Sequence, residues 1–396
     1  MATKKTYQDY FDVLGFNESS SIPGGVQNYD TENAFGFIGK YQFGEAALFD
    51  LGYYGIDKSD GNLFKNDWIG NWSGKNGINS KQDYFNQGSV QETIIYDWHD
   101  ILWARIKFLG LDAYEGQILN GHLITISGML AASHLLGAGS QSSDTTGLRG
   151  YLLSGAVFSA EDANGTTANQ YMTLFEGFQT PFVVDHSKAE IIPGGKGADV
   201  LTGFGGDDTL IGKENTDAAI YLNNSAEYDV EKNSDGIWTI KQKNSGLDGT
   251  DILVDIERIK FPDISLALDL AGNAGITAKI LGAVFGRESV SNKVYAGIGL
   301  SLLDDGMSYE ALMQLAINVA LGANATNHTA VVDLLYENVV GFKPSAAEET
   351  YFVELLDSGA YTAASIGIVA AENALNQANI DLVGLSQDGL AYFVPL

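Results

Sequence analysis

Cysteine is absent from this chain, and basic residues are scarce. Without cysteine no disulfide can hold the fold together, so outside a cell the chain would depend on a bound metal or a large core. The 22 Lys and Arg face 50 Asp and Glu, which gives a formal net charge of −28 at pH 7. That charge excludes a general affinity for nucleic acid or anionic membrane surfaces and favours divalent cations as partners.

Long apolar runs are also missing. No stretch reaches roughly 18 consecutive apolar residues, so no membrane span is expected. The start, MATKKTYQDYFDVLG, is basic but lacks the apolar run of about 7–15 residues that a Sec-type signal peptide carries. His99 and His122 have no partner at metal-ligand spacing, which argues against zinc. With 45% hydrophobic residues, the chain can still build more than one core.

What the chain does contain is a glycine- and aspartate-rich repeat, GGKGADVLTGFGGDDTLIG, at 194–212. Asp199 and Asp208 are nine residues apart, each is followed two residues later by Leu, and Asp217 continues the step. Glycine lets turns adopt positive φ and aim carbonyl oxygens at one point, and aspartate supplies the hard oxygen that Ca²⁺ prefers. The pattern predicts Ca²⁺ ligation between turns by the following residues: Asp199, Asp208, Asp217, Gly195, Gly197 and Gly206.

This repeat resembles the parallel β-roll of RTX-type secreted proteins, whose G-G-x-G-x-D turns bind Ca²⁺. Two repeats make one coil, so Asp199 and Asp217 are expected on one side and Asp208 on the other. A Gly/Asp-rich linker is the alternative, although a linker has no reason to keep the nine-residue step. The resemblance implies a secreted or cell-surface protein exported by type I secretion machinery, with the acidic roll unfolded until it meets Ca²⁺ outside.

Changes in composition divide the chain into four predicted domains. Residues 1–182 are rich in aromatics and helical patterns, and a linker-like stretch at 181–193 leads into the roll at 190–217. Residues 218–270 look β-rich, and residues 271–396 are helical in pattern. The predicted fold class is therefore multidomain: a mainly α N-terminal domain, a short parallel β-roll plus a small β domain, and an α-helical C-terminal domain.

The last two domains carry smaller signals. A hairpin turn is predicted at Asp235-Gly236 and a closing strand at 256–261. In the helical domain, a weak internal repeat aligns Gly306 with Gly359, each after Leu-Leu-Asp at a helix end. His328 is expected in a solvated loop. The domain is similar to a helical module of unassigned function at the C-termini of bacterial secreted repeat proteins, and packing, oligomerisation or export are its expected roles.

The N-terminal domain carries the sequence that suggests catalysis. Glu18-Ser19 opens a stretch that leads to GFIGKYQFG at 36–44. This order resembles lysozyme-like peptidoglycan hydrolases and lytic transglycosylases, in which a Glu at the end of the first helix is the catalytic acid. The resemblance implies a lysozyme-like domain in which Glu18 is the acid. It also implies a sugar cleft lined by Gly36, Gly39, Tyr41, Gln42 and Phe43.

Cleavage of a glycosidic bond needs a protonated carboxyl that donates to the leaving oxygen. Burial against aromatic side chains raises the pKa of a carboxyl, and several aromatic residues follow Glu18 in sequence. The resemblance implies that the substrate's own N-acetyl group can act as nucleophile. A surface or N-cap carboxylate is the alternative role for Glu18. Glu32 and Glu45 are alternative acids by type, and Glu45 is expected on the solvated face of a helix.

The remaining candidate residues of this domain are aromatic side chains and one histidine. Trp68 and Trp72 lie in a Gly/Asn-rich loop and could stack on sugar rings, whereas Trp98 and Trp103 are expected in the core. His134 sits in a run patterned like a buried helix and is expected to be a core histidine.

Two functions remain open at this point. The first is a secreted, Ca²⁺-stabilised glycoside hydrolase or lytic transglycosylase that cleaves peptidoglycan, favoured by Glu18, Tyr41 and Gln42. The second is a non-catalytic structural, adhesive or self-assembling surface protein, including a homo-oligomer, that reuses the lysozyme-like domain. The long polar loop at 19–27 favours the second, since a loop beside the cleft could reshape it.

Overall fold

The structure, a computed structural model, divides into two compact units, Met1–Asp185 and His186–Leu396. These are named the N-terminal unit and the C-terminal unit. The N-terminal unit is mainly helical, and the C-terminal unit combines short strands with helices. The described residues are 5–55, 64–157, 161, 165–244 and 246–395. Within those ranges, no helix is long and apolar enough to cross a membrane.

Helices with capped ends form the N-terminal unit. Helix α1 starts after Thr6, whose hydroxyl accepts the backbone N–H of Asp9 while the Asp9 carboxylate accepts the N–H of Thr6. It ends where Ser20 turns left-handed with a φ of 58°. The elements are α1 (Tyr7–Ser19), α2 (Glu45–Asp50), α3 (Lys81–Asn86), α4 (Gly88–Phe108), β1 (Ile118–Leu119), β2 (His122–Leu123), α5 (Ile126–Leu136), α6 (Gly147–Leu153) and α7 (Ala168–Leu174).

The core of this unit is aromatic. The ring of Tyr10 on α1 contacts His99 on α4 and Phe175 after α7, with centroid distances of 5.0 and 4.6 Å. Trp98 and Trp103 are buried, which confirms their predicted core role. Helix α5 is buried over most of its length, as its high apolar content requires. This packing fixes the end of α1, and with it the position of Glu18.

Two stacks of short parallel strands begin the C-terminal unit. One stack consists of β3 (Ile191–Pro193), β5 (Thr209–Ile211) and β9 (Thr250–Val254). The other consists of β4 (Val200–Leu201), β6 (Ala218–Ile220) and β10 (Arg258–Lys260). The chain alternates between the stacks, and the first coil advances 18 residues, because Ile191 pairs with Thr209 and Val200 with Ala218.

A β-hairpin is inserted between the second and third coils. Strands β7 (Tyr228–Lys232) and β8 (Trp238–Gln242) pair in antiparallel register, and β8 continues onto β9. Their turn contains Gly236 at a φ of 84°, which confirms the hairpin predicted there. The predicted closing strand is β10, which pairs with β11 (Ser265–Ala267), and β11 pairs with β12 (Leu390–Tyr392).

Helices make up the rest of the C-terminal unit. The elements are α8 (Asn273–Ile280), a π-helical turn (Leu281–Phe285), α9 (Lys293–Asp304), α10 (Tyr309–Leu321), α11 (His328–Val340), α12 (Ala346–Asp357), α13 (Ala363–Ala371), α14 (Ala374–Asn379) and α15 (Leu382–Asp388). The weak internal repeat is visible as three helices followed by three helices, each first helix ending at a positive-φ glycine, Gly286 and Gly341. His328 is the first residue of α11, not a loop residue, and its Nδ1 lies 2.6 Å from Asp357.

Candidate functional sites

Glu18 lies in the last turn of α1 and is partly buried. The Tyr171 hydroxyl on α7 donates a 2.7 Å hydrogen bond to its Oε1. Helix α7 is fixed by a capping box in which Thr167 and Gln170 bond each other's backbone N–H groups. An open cavity of about 650 Å³ lies alongside, lined by Asn17 next to Glu18 and by Tyr171. Glu18 is therefore hydrogen-bonded to a tyrosine that lines an accessible space, and it follows Asn17, which lines the same space.

The residues expected to line the cleft are largely buried. Tyr41 has no exposed surface and Phe43 is 2% exposed, with its ring 5.9 Å from that of Trp98. Gln42 adopts a φ of 48° and its amide donates to the carbonyl of Gly39 at 2.8 Å. Gly36 and Gly39 have φ values of 77° and 79° and make the tight turns of this segment. The segment is a packed structural loop whose buried face holds Tyr41 and Phe43, whereas Phe37 is exposed.

Glu92 is the charged centre that holds this loop in place. Its Oε1 accepts hydrogen bonds from Tyr29 Oη at 2.7 Å and Lys40 Nζ at 2.6 Å, and its Oε2 accepts from Tyr41 Oη at 2.7 Å. Burial would raise the pKa of Glu92, but these bonds and the Lys40 charge outweigh it and lower the pKa below its usual value. Glu92 is consequently ionised and unsuited to act as a proton donor near neutral pH.

The expectation that Glu45 lies on a solvated helix face is wrong. Glu45 is 1% exposed, and its carboxylate accepts the backbone N–H groups of Trp68 and Asn66 at 2.6 and 3.1 Å. The hydroxyl of Tyr54 also donates to it at 3.0 Å. As the first residue of α2, Glu45 anchors a distant loop whose N–H groups have no strand to bond. The other alternative acid, Glu32, is exposed and paired with Lys81 at 2.8 Å.

Trp68 and Trp72 stack on each other, with ring centroids 5.5 Å apart and an interplanar angle of 21°. Trp68 is 8% exposed and its indole N–H donates to the carbonyl of Gly36 at 2.8 Å. Trp72 is partly exposed. The ring of Tyr54 meets both indoles edge-on. Of the pair predicted to stack on sugar, Trp72 therefore keeps more accessible surface.

His134 is a half-buried histidine that bonds the backbone. Its Nε2 donates to the carbonyl of Tyr41 at 3.0 Å, while its buried Nδ1 has no partner among the described residues. Burial lowers the pKa of His134 to about 4, against a smaller opposing effect of that hydrogen bond. His134 is therefore neutral near pH 7 and supports the loop that carries Tyr41.

In the C-terminal unit, acidic residues at the ends of the coils form two ladders. In the first, the N–H of Asp199 bonds Asp217 Oδ1 at 2.7 Å, and the N–H of Asp217 bonds Glu257 Oε2 at 2.8 Å. The Asp199 carboxylate itself accepts the N–H of Gly195 at 2.5 Å. The carboxylates of Asp217 and Glu257 thus accept main-chain N–H groups of the preceding coil. Asp199 and Asp217 share one side, as the nine-residue step predicts.

The second ladder lies on the other stack. The N–H of Glu190 bonds Asp208 Oδ1 at 2.8 Å, and the N–H of Asp208 bonds Asp251 Oδ1 at 3.0 Å. The hydroxyl of Tyr221 donates to the second oxygen of Asp251 at 2.9 Å. Asp208 belongs to this ladder and not to the first, so the two predicted sides of the coil are both present.

Glycines leave room for these carboxylates. A Cβ on Gly194 would overlap Asp199 Oδ2, one on Gly203 would overlap Asp208 Oδ2, and one on Gly212 would overlap Asp217 Oδ2. In the same turns, Gly206 has a φ of 114° and its N–H donates to the carbonyl of Leu247 at 3.0 Å. Gly197 is buried within its turn. The repeated glycines are therefore required by close approach of backbone to carboxylate.

Two oxygens at the centre of the ladders are unsatisfied. Asp208 and Asp217 are 1% and 0% exposed, and in each the Oδ2 atom is buried without a hydrogen-bond partner among the described residues. Burial, followed by neighbouring carboxylates, raises the pKa of Asp208 to about 6 and that of Asp217 to about 7. Buried carboxylate oxygens without donors are costly and fit a cation-binding role. In the described part of the chain, no three Asp, Glu or His side chains converge on one point, so backbone carbonyls would have to complete any site.

Sequence reasoning missed three members of the ladders, Glu190, Asp251 and Glu257. Each fits the pattern that marked the others, an acidic residue followed two positions later by an apolar one. The apolar residues are all buried inside the coil: Ile192, Leu201, Leu210, Ala219, Leu253 and Ile259. The signal was therefore present: Glu190 lies nine residues before Asp199 and keeps the step, whereas the hairpin insertion breaks the step before Asp251 and Glu257.

A scan against protein-family models matches none of them to this chain. A search of curated proteins also finds no match.

Proposed function

We propose that the N-terminal unit is a lysozyme-like glycoside hydrolase or lytic transglycosylase that cleaves peptidoglycan, with Glu18 as the general acid. The observation that carries the proposal is the hydrogen bond between Glu18 and Tyr171, a residue that lines an open cavity of about 650 Å³. The sequence resemblance places the acid at the end of the first helix, which is where Glu18 lies. Two other glutamates of this unit are less suited to act as the acid. Glu45 is buried and Glu92 is paired with Lys40.

In the proposed reaction, the protonated Glu18 carboxyl donates its proton to the glycosidic oxygen as the bond to the sugar breaks. The Tyr171 hydroxyl bonds Oε1, so it orients the carboxyl and stabilises the negative charge left after transfer. By resemblance to the family, the substrate's N-acetyl group is the internal nucleophile, so one carboxyl suffices. Trp72, partly exposed, is the proposed stacking surface for a sugar ring.

We further propose that the coils of the C-terminal unit form an RTX-type β-roll that holds Ca²⁺. Asp199, Asp208 and Asp217 would supply charged oxygens, and carbonyls of turns containing Gly195, Gly197 and Gly206 would supply the rest. Support comes from the buried Oδ2 atoms of Asp208 and Asp217, which have no donor in the described chain. Bound Ca²⁺ would neutralise the repulsion between stacked carboxylates. Dependence on Ca²⁺ fits the proposed export by type I machinery to a calcium-rich exterior.

The test of the enzyme proposal is turnover by the full chain. Purified peptidoglycan is incubated with the protein and Ca²⁺ between pH 4 and 8, and soluble products are identified by mass. Muropeptides with new reducing ends would mark a hydrolase, and 1,6-anhydro products would mark a transglycosylase. Absence of both, with a folded protein shown by circular dichroism, would overturn the proposal.

A second candidate function is a non-catalytic surface protein built on the same domain. The observation that favours it is the burial of Tyr41 and Phe43, which the resemblance assigns to the sugar cleft. Sedimentation of the intact chain with insoluble peptidoglycan separates the two functions. Retention without product release would favour the structural role, and a change in sedimentation coefficient with concentration would favour self-assembly.

A further inference from the structure

Two apolar grooves in the helical part of the C-terminal unit have the same construction. Groove A is formed by α8 with its π turn, α9 and α10, and encloses about 150 Å³. Groove B is formed by α11, α12 and α13, and encloses about 520 Å³. Each groove thus lies among the three helices of one copy of the internal repeat.

The helix caps fix which positions correspond. The matched cap residues are Gly286 with Gly341, Asn292 with Ser345 and Ser308 with Thr362. Counted from these caps, every residue lining groove A except Leu302 corresponds to a residue lining groove B. The grooves are therefore a property of the repeat and not chance gaps between helices.

Differences in residue type at two corresponding positions of the copies decide which groove is open. In groove A the rings of Phe285 and Tyr295 contact each other, with centroids 5.4 Å apart, and fill the space. The corresponding residues of groove B are Val340 and Glu348. The smaller Val340 and the hydrophilic Glu348 leave groove B open and place a carboxylate on its wall.

Aromatic side chains line groove B beside Glu348. Tyr351 and Phe352 occupy the positions of Ile298 and Gly299 in groove A, and their rings lie 5.2 Å apart. The ring of Tyr336 also lines the groove, 6.3 Å from the ring of Phe352. At these three positions groove B therefore has aromatic rings where groove A has Leu281, Ile298 and Gly299.

The carboxylate on the wall of groove B is held in a fixed orientation. Glu348 Oε1 accepts the Tyr336 hydroxyl at 2.8 Å, and Oε2 accepts the Ser345 N–H at 2.9 Å and hydroxyl at 2.5 Å. These donors are neutral, so the carboxylate keeps its negative charge. Residues 271–396 as a whole contain thirteen acidic and only four basic residues. An anionic ligand would meet repulsion here, and a cationic one attraction.

We propose that groove B binds a small cationic amphiphile, an apolar chain or ring system that carries an ammonium or guanidinium group. Its volume of about 520 Å³ lies in the range of small-molecule sites, which are mostly apolar with a few placed polar groups. The apolar part of the ligand occupies the space between α11, α12 and α13. The cation faces Glu348 and the aromatic rings, which attract positive charge through their π faces.

The experiment is isothermal titration of the full chain with decyltrimethylammonium below its micellar concentration. Decyl sulfate and decyl maltoside serve as anionic and neutral probes of the same chain length. One saturable site for the ammonium compound, with weaker binding of the maltoside and no binding of the sulfate, is the expected result.

Variants locate the site. Val340→Phe with Glu348→Tyr copies the groove A pair and should abolish binding, with the helical circular dichroism unchanged. Glu348→Gln keeps the N-terminal capping box of α12, because Gln also serves at that position, and should weaken ammonium binding about two- to fivefold. Glu354→Gln removes an exposed charge of α12 that does not line the groove and should bind like the wild type.

Several results would overturn the proposal. Equal binding of the ammonium and sulfate probes would show that charge plays no part. Unchanged binding by the Val340→Phe, Glu348→Tyr variant would place the ligand elsewhere. Binding of a Leu/Lys amphipathic helical peptide in place of the small probe would make groove B a protein-docking surface.

Discussion

Three glutamates of the N-terminal unit show how surroundings give one side-chain type different roles. Glu45 accepts hydrogen bonds from backbone N–H groups and fixes a loop. Glu92 accepts hydrogen bonds from Lys40 and two tyrosines and stays ionised. Glu18 bonds the hydroxyl of Tyr171 at the edge of a cavity. A carboxyl that must lose and regain a proton needs contact with substrate and a donor that positions it, and the donor of Glu18 is a tyrosine that lines the cavity.

Glu18→Gln should lower peptidoglycan cleavage by about 10²–10⁴-fold, because the amide keeps the shape of the side chain but has no proton to transfer. The release of reducing ends, or clearance of turbidity, measures the effect. Glu32→Gln is the matched control, since Glu32 is an exposed carboxylate bound to Lys81. Loss of cleavage in Glu32→Gln with none in Glu18→Gln would show that Glu32, and not Glu18, is the acid.

His134 predicts a loss of stability in mild acid. Its folded-state pKa, about 4, lies below the ordinary value of 6.5, so the stability that depends on the neutral ring is complete above pH 6.5. It is lost as the pH falls from 6.5 toward 4, by about 3 kcal/mol from the size of the shift.

His134→Gln keeps a donor for the Tyr41 carbonyl and removes the titration, so the melting temperature should fall less between pH 6.5 and 4. Tryptophan fluorescence follows the transition, because four of the five tryptophans belong to the N-terminal unit. Identical pH dependence in the wild type and the variant would mean that other groups, such as His99, control acid unfolding.

Whether the sequence predicts the surroundings of these residues depends on how far along the chain their contact partners lie. The core roles of Trp98 and Trp103 followed from local helical pattern and are confirmed. The helix-forming run GEAALFDLG predicts a solvated position for Glu45, while its partners Asn66 and Trp68 lie more than twenty residues away along the chain. Periodicity reports the face of a helix, but it contains no information about which loop will need a carboxylate.

At the scale of secondary-structure elements, the short strands of the C-terminal unit depend on what happens at their ends. Strands of two to five residues bury one or two apolar side chains each, which alone is weak support. The carboxylate ladders add one main-chain hydrogen bond per coil on each side. They also place carboxylates above one another, and these repel each other. The same ladders therefore align the coils and favour the binding of cations.

Asp217→Asn should therefore have opposite effects with and without Ca²⁺. Asn can still accept the N–H of Asp199 but carries no charge. In excess EGTA the variant should melt a few degrees higher, because the raised pKa of Asp217 shows that its charge is unfavourable there. In Ca²⁺ it should melt lower than the wild type, because a ligand is lost.

Scanning calorimetry in both buffers measures the difference, and Glu231→Gln on the exposed face of β7 is the control. A shift of the same sign in both buffers would contradict a cation role for Asp217.

The spacing of the ladder was predictable for the first two coils from Asp199, Asp208 and Asp217. The third coil was not, because the hairpin separates Asp251 and Glu257 from the repeat, and spacing is the only local signal.

At the scale of the whole molecule, the chain comprises two units with separate cores and different chemistry. The N-terminal unit is an aromatic, helical domain without a predicted metal, and the C-terminal unit concentrates the carboxylate ladders. Ligands stabilise only the state that binds them, so a ligand of one unit should leave the other unit's transition in place.

Chelation should therefore separate two unfolding transitions. In EGTA the transition of the C-terminal unit should move to lower temperature, while that of the N-terminal unit keeps its Ca²⁺ value. Fluorescence of the Trp238→Phe variant reports the N-terminal unit alone, because the remaining four tryptophans lie there, and calorimetry reports both units. A single transition that ignores Ca²⁺ would remove the calcium proposal.

The inserted hairpin has a consequence for the order of folding. Parallel pairing of β5 with β9 joins residues 43 apart, Thr209 and Ile252, whereas β3 and β5 join residues 18 apart. The longer separation raises the entropy cost of closure by about 0.8 kcal/mol. A hairpin such as β7–β8 forms in about 1–10 μs from local contacts and carries β9 beside β8, which shortens the effective loop. We therefore expect the third coil to fold last, after the hairpin has formed, and the turn of a few residues around Gly236 to limit the rate at which this part of the molecule folds.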